Sequence, residues 1–166
     1  MIKVLILCGI MALTTFVGFE TSKTYSKKVD LYSDLLDFCR SVKNEITFLK
    51  TDIMTIYGKN TYKSELNDII KKITNLINNN KLVEVNDIKG ILKQYSDLSD
   101  KDKELISGLF YNLGRLNYDQ QIESLEYYIE CFDDLVKKQI EKSNKMTPFC
   151  KKIGILIGLT ICIMLI

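Results

Sequence analysis

The sequence predicts an all-α protein, an antiparallel helical bundle with a hydrophobic membrane helix at each end. Three observations support this class. Apolar residues recur at helical spacing through the middle of the chain, and no stretch alternates with period two for long enough to form a strand. Apart from Lys3, every charged residue lies between Glu20 and Lys152. We therefore predict three parts: an N-terminal segment (1–21), a helical middle (22–147) and a C-terminal segment (148–166).

The first segment contains an uncharged run of 16 residues, Val4 to Phe19. With its flanks it approaches the roughly 20 residues that a helix needs to span a bilayer. A cleaved signal peptide is the alternative. Lys3 makes only a thin positive region, and no small-x-small cleavage site follows the run. We predict an uncleaved transmembrane anchor.

The last segment, Ile153 to Ile166, is an uncharged run of 14 residues. As a helix it covers about 21 Å, less than a hydrocarbon core of about 30 Å. A helix that starts at Pro148 reaches about 28 Å, and Lys151 and Lys152 can extend to the headgroups. The sequence predicts a second membrane helix that starts at this proline.

Lysines flank both predicted membrane segments on the side of the middle region. Only Lys3 lies on the other side, so the positive-inside rule places the middle in the cytoplasm and both chain ends outside. Glycines in these segments would let helices approach closely, although glycine is also common in membrane helices in general. The candidate packing positions are Gly9, Gly18, Gly154 and Gly158.

Five helices are predicted between the two membrane segments. The first is a long amphipathic helix with one apolar face, formed by Val29, Tyr32, Leu35, Leu36, Cys39, Val42, Ile46, Leu49 and Ile53. It is interrupted at residues 57–60. The others are expected from Thr61 to about Asn78, from Asn86 to about Tyr95, from Ser99 to Leu113, and from Asn117 or Asp119 toward Pro148. Gly114 suits the left-handed position that follows a helix.

The last of these helices carries a stripe of acidic residues beside its apolar face. Its members lie within about 100° of arc and include no basic residue. One interpretation is a solvated helix face, with basic side chains such as Lys89 or Lys93 of another helix relieving the repulsion. The other is a docking surface for a basic partner. The candidate partner-binding residues are Glu123, Glu126, Glu130, Asp133 and Asp134.

Motifs of catalysis and of cofactor binding are absent from the sequence. The chain has no histidine, and its five cysteines form neither a disulfide framework nor a zinc-binding spacing. It contains no phosphate-binding glycine loop and no nucleophile elbow. The charged part of the chain, residues 20–152, holds 22 basic and 21 acidic residues, which argues against nucleic-acid binding. We predict no catalytic, cofactor-binding or metal-binding residues and a non-enzymatic protein.

Three segments together resemble the stage III sporulation protein AB family of endospore-forming bacteria. They are residues 14–20 with Lys23 and Tyr25, the helix leading to Glu45 and Ile46, and Leu113-Gly114-Arg115 followed by Gln121. The resemblance covers essentially the whole chain. The sequence departs from the family pattern where Asn117 replaces an aspartate, and where Thr51-Asp52 replaces Thr-Pro. Asn can cap a helix as Asp does.

The resemblance implies a part in the channel that joins mother cell and forespore. The family's helical domain is similar to the F domain of the inner-membrane platform of type II secretion and type IV pilus systems. A secretion-type sporulation ATPase and the other stage III membrane subunits are the implied partners, and the implied location is the mother-cell membrane around the forespore. The alternative is a membrane-anchored helical scaffold or regulator unrelated to secretion.

Overall fold

The computed structural model describes residues 2–49, 62, 64–79 and 83–165, with the backbone alone at residues 2–6, 49 and 165. Five α-helices and one π-helical turn make up this part of the chain, and it contains no strand. The helices are α1 (Ile2–Asn44), α2 (Leu66–Asn79), α3 (Val85–Leu92), α4 (Asp100–Asn112) and α5 (Tyr118–Leu165); the π-helical turn (Glu45–Leu49) follows α1. The prediction of an all-α protein is confirmed.

The chain divides into two compact units. One contains residues 30–136, and the other contains residues 1–29 and 137–166. Both α1 and α5 therefore contribute residues to each unit. The first unit lies inside the boundaries predicted for the helical middle, residues 22–147.

The unit of residues 30–136 is a helical bundle with a continuous apolar core. Its fully buried side chains include Leu35, Val42, Ile69, Leu109 and Phe132, which come from α1, α2, α4 and α5. The apolar face predicted for the first helix is buried from Tyr32 to Ile46, because the 3.6-residue period places these side chains on one side. The structure does not describe the side chain of Leu49, which was also predicted on this face. Ile53 and the predicted break at residues 57–60 lie outside the described residues.

A buried hydrogen-bond network joins α1 to the beginning of α4. Ser99 caps α4, its hydroxyl accepting from the Asp102 N–H, while the Asp102 carboxylate accepts from the Ser99 N–H at 2.9 Å. The Tyr32 hydroxyl donates to the same carboxylate at 2.8 Å. The predicted start of this helix is confirmed. The Asp102 carboxylate of the cap also binds Tyr32 of α1.

Two predicted helix boundaries are wrong. The second helix was expected to start at Thr61, which lies outside the described residues, but α2 begins only at Leu66. The Asn67 side chain accepts from the Tyr62 N–H and donates to the Tyr62 carbonyl oxygen, and these two bonds hold the chain before the helix in a turn. Helix α3 ends at Leu92 rather than near Tyr95. The Tyr95 N–H instead closes a turn on the Leu92 carbonyl, and its hydroxyl donates to Asp68 at 2.6 Å.

The unit of residues 1–29 and 137–166 is an antiparallel pair formed by the start of α1 and the end of α5. Cys162 contacts the Leu7 carbonyl near one end of the pair, and Gln139 donates to the Tyr25 carbonyl near the other. The predicted helix start at Pro148 is wrong, since α5 continues through the proline. Proline inside a helix removes one backbone hydrogen bond, and α5 is helical on both sides of Pro148.

Candidate functional site

One helix in the described part of the chain is long and apolar enough to cross a membrane. By length and composition this is the stretch Tyr118–Met164 of α5, which contains the predicted C-terminal segment. A second such helix is not found at the N-terminus of the described part. The predicted N-terminal anchor begins in residues 1–6, whose side chains lie outside the description.

Glycines allow the backbones of the antiparallel pair to touch. A Cβ atom added at Gly18 would lie 2.8 Å from the Cys150 carbonyl oxygen and 3.1 Å from the Gly154 Cα. A Cβ at Gly154 would lie 2.9 Å from the Thr14 carbonyl oxygen. Side chains at these two positions would push the helices apart, so only glycine fits the observed separation.

The two other candidate glycines differ from each other. A Cβ at Gly158 would lie 2.5 Å from the Thr14 hydroxyl oxygen, so Gly158 also belongs to the contact. No atom would lie within 4 Å of a Cβ at Gly9. The structure thus brings Gly18, Gly154 and Gly158 together and leaves Gly9 outside this contact.

Threonine hydroxyls in the apolar part of the pair bond to the backbone of their own helix. The Thr14 and Thr15 hydroxyls donate to the Met11 carbonyl oxygen, at 3.1 and 2.8 Å. Thr160 donates to the Leu156 carbonyl oxygen at 2.9 Å. Such bonds satisfy hydroxyl groups where no water is present. The outer surface of the pair carries exposed apolar side chains, among them Leu13, Phe16, Leu156 and Ile163.

In the unit of residues 30–136, the acidic stripe of α5 divides into two groups. Glu126 and Asp133 face α1, where Lys43 lies 2.6 Å from Glu126 and Arg40 lies 3.7 Å from Asp133. The basic side chains that relieve the repulsion therefore come from α1. Lys89 pairs with Glu104 on α4 instead.

The other group of acidic side chains is exposed. Glu123, Glu130 and Asp134 are solvent-accessible, and neither Glu123 nor Glu130 makes an ion pair within the described residues. Tyr127 stands between these glutamates on the same face and is 58% exposed. The outward face of Glu123, Tyr127 and Glu130, which we call the acidic face, thus combines negative charge with an aromatic ring.

Sequence reasoning missed Arg40, Lys43 and Tyr127. Arg40 and Lys43 are three residues apart on the first helix, so they share a face, and this spacing was the available signal. Their partners lie more than 80 residues away, and helical periodicity does not reveal such pairings. Tyr127 could have been found by its position one turn after Glu123.

The residues that carry the family resemblance shape the turn between α4 and α5. Gly114 has a φ of 80°, as its predicted left-handed position requires. Its N–H donates to the Gln121 side chain at 3.1 Å. The Asn117 side chain accepts from the Gln120 N–H at 2.9 Å, so asparagine caps α5 here as predicted.

Arg115 ties this turn to the segment before α3. Its guanidinium donates to the Val83 carbonyl oxygen at 2.5 Å and lies 4.1 Å from the centre of the Tyr111 ring. A planar cation over an aromatic face is a favourable arrangement. The motif therefore stabilises the bundle.

Two titratable side chains of the bundle core have raised pKa values. Burial raises the pKa of the Cys39 thiol to about 12, so this thiol stays protonated and inert. Burial, together with the Asp102 carboxylate, raises the pKa of Tyr32 well above its usual range. In the part of the chain that the structure describes, no group of three or more cysteine, aspartate or glutamate side chains could hold a metal ion.

Comparison with known proteins gives one family. No curated protein and no solved structure matches the chain. The family model for stage III sporulation protein AB matches residues 3–166, which is nearly the whole sequence and includes both helices of the antiparallel pair and the α4–α5 turn. The chain belongs to the stage III sporulation protein AB family.

Proposed function

We propose that the chain is a non-enzymatic membrane platform of the sporulation channel between mother cell and forespore. Its bundle would couple a cytoplasmic secretion-type ATPase to the other stage III membrane subunits. The observation that carries the proposal is the family match over residues 3–166, which supports a role in sporulation. The helical bundle, the apolar helix pair and the acidic face are consistent with a protein that acts through surfaces.

A membrane anchor at each end is part of the proposal. The start of α1 runs antiparallel to the apolar end of α5, and the two backbones meet at Gly18 and Gly154. A helix that packs so closely along a membrane-spanning helix lies at the same depth. The exposed side chains of Leu13, Phe16 and Val17 would then face lipid.

The proposed orientation places the bundle in the cytoplasm of the mother cell. An antiparallel pair brings both chain ends to one side of the membrane. Lysines follow the apolar part of α1 and precede that of α5, so the positive-inside rule assigns the bundle to the cytoplasm. A cytoplasmic ATPase could reach it there.

The acidic face is the proposed contact with the ATPase. Exposed charges at the rim of an interface steer association and fix the partner, and a central tyrosine supplies buried area on binding. Glu126 and Asp133 are less suited to the contact, because Lys43 and Arg40 already lie against them. Glu123 and Glu130 are therefore the residues to change.

The test is binding of the purified full-length protein, in nanodiscs, to the sporulation ATPase. We expect Glu123→Gln with Glu130→Gln to weaken binding about twofold to thirtyfold at low ionic strength, since an exposed ion pair contributes about 0.2–1 kcal/mol. The remaining binding should depend less on salt.

A control variant with the same charge change, Asp100→Asn with Glu104→Gln on α4, should bind like the unchanged protein. If the Glu123 and Glu130 variant binds normally, the acidic face is a solvated surface. If the unchanged full-length protein fails to bind the ATPase, the platform function is wrong and the scaffold alternative is favoured.

A further inference from the structure

An apolar groove runs along the antiparallel helix pair of residues 1–29 and 137–166. It encloses about 380 Å³. Leu13, Val17 and Thr21 of α1 line one side, and Phe149, Ile153 and Ile157 of α5 line the other. The Thr21 hydroxyl donates to the Val17 carbonyl oxygen of its own helix, so the groove offers a hydrocarbon surface.

The length of the groove matches one leaflet of a bilayer. Its α5 side runs from Met146 to Ile157. At 1.5 Å per residue this is about 16 Å, roughly half of a hydrocarbon core of about 30 Å. A single acyl chain has this reach.

One end of the groove is basic. Lys142 lies one turn before Met146 on the same face of α5, and its Nζ is 5.8 Å from the centre of the Tyr25 ring. Tyr25 lies one turn after Thr21 on α1, and Lys28 follows on that face. Both lysines therefore lie just beyond the apolar lining, at the level of headgroups.

The surrounding charge is strongly positive. Residues 20–29 and 137–152 of this unit contain nine lysines and two glutamates, and one of these glutamates, Glu20, is paired with Lys23. A second membrane helix in the groove would follow the same positive-inside rule and bring its own basic flank to this level. A negatively charged headgroup would be attracted instead.

We infer that the groove binds an anionic phospholipid, with one acyl chain between the helices and the phosphate at Lys142 and Lys28. The site rests on the proposed insertion of both helices in the membrane. Basic pockets beside membrane helices on the cytoplasmic side are suited to anionic headgroups.

Quenching by brominated lipids tests this site. The sequence has no tryptophan, so Phe149→Trp places a single tryptophan in the groove lining of the full-length protein. The protein is reconstituted in phosphatidylcholine nanodiscs that contain equal fractions of brominated phosphatidylglycerol or brominated phosphatidylcholine. We expect the anionic lipid to quench more strongly.

Removal of the lysines should weaken the preference for the anionic lipid. Lys142→Gln should lower it about fivefold, and Lys28→Gln in addition should lower it further. Lys101→Gln with Lys103→Gln, the matched charge change in the other unit, should leave it unchanged.

Equal quenching by the two lipids would overturn the site while leaving membrane insertion intact. Absence of quenching with a blue-shifted emission would mean that protein covers the groove, which also overturns the site. Absence of quenching with emission typical of water would mean that the helix pair is not inserted, and the membrane part of the proposed function would then be wrong.

Discussion

Gly18→Ala adds a methyl group where the two helices of the antiparallel pair meet. Its Cβ would lie 2.8 Å from the Cys150 carbonyl oxygen, whereas ordinary van der Waals contact begins at 3.4 Å. The backbones must therefore separate by about 0.6 Å, and such overpacking costs about 1–3 kcal/mol. Gly9→Ala is the matched control, because nothing lies within 4 Å of its added Cβ. Both changes gain the same helix propensity, so their difference isolates the steric cost.

The separation of the helices can be measured with pyrene labels on Cys8 and Cys162, after replacement of the other three cysteines. Cys162 Sγ lies 3.6 Å from the carbonyl oxygen of Leu7, the residue before Cys8, so excimer emission should report the closed pair. In a titration with sodium dodecyl sulfate, Gly18→Ala should lower the free energy of separation by about 1–3 kcal/mol relative to Gly9→Ala. Equal stability of the two variants would refute the close contact.

The other predictions concern the bundle. Tyr32→Phe should destabilise it to chemical denaturation by about 1–3 kcal/mol, because the buried Asp102 carboxylate loses a donor. The pKa of Tyr32 is raised on folding, so its contribution to stability is fully present below a pH of about 10 and falls as the pH rises above that value toward the raised pKa. The variant should therefore lose part of this alkaline sensitivity. Gly114→Ala should cost about 1–2 kcal/mol at its φ of 80°, whereas Gly90→Ala, inside α3 with no neighbour within 4 Å, should stabilise. A fragment of residues 22–145 should be soluble, monomeric and strongly helical by circular dichroism; a spectrum of coil or strand would contradict an independent bundle.

Local patterns in the sequence predicted most of the fold. The periodic apolar face of α1, the cap at Ser99 and the turn at Gly114 depend on residues within a few positions of each other, and each is found in the structure. The start of α2 could not be predicted in this way, because a reciprocal pairing of Asn67 with Tyr62 sets it.

Long-range contacts of the candidate site could not be predicted from the sequence. The acidic stripe was visible as a pattern, but its division depends on Lys43 and Arg40, which reach α5 only after the bundle has formed. In the same way, Gly9 and Gly18 were both predicted as packing positions, because each lies in the first apolar segment. The register of α1 against α5 places Gly18 in the contact and leaves Gly9 outside it.

The side of the membrane that the bundle occupies tests the platform function most directly, because a cytoplasmic ATPase requires a cytoplasmic bundle. Native Cys39 is a poor reporter, since it is buried and its pKa is raised to about 12. A single cysteine at Ser96, which is exposed in the bundle, is a better reporter. A single cysteine at Lys3, which precedes the first apolar run, reports on the other side of the membrane. With a membrane-impermeant maleimide applied to intact growing cells, we predict labelling of Lys3→Cys, and labelling of Ser96→Cys only after permeabilisation. Efficient labelling of Ser96→Cys in intact cells would contradict the platform function.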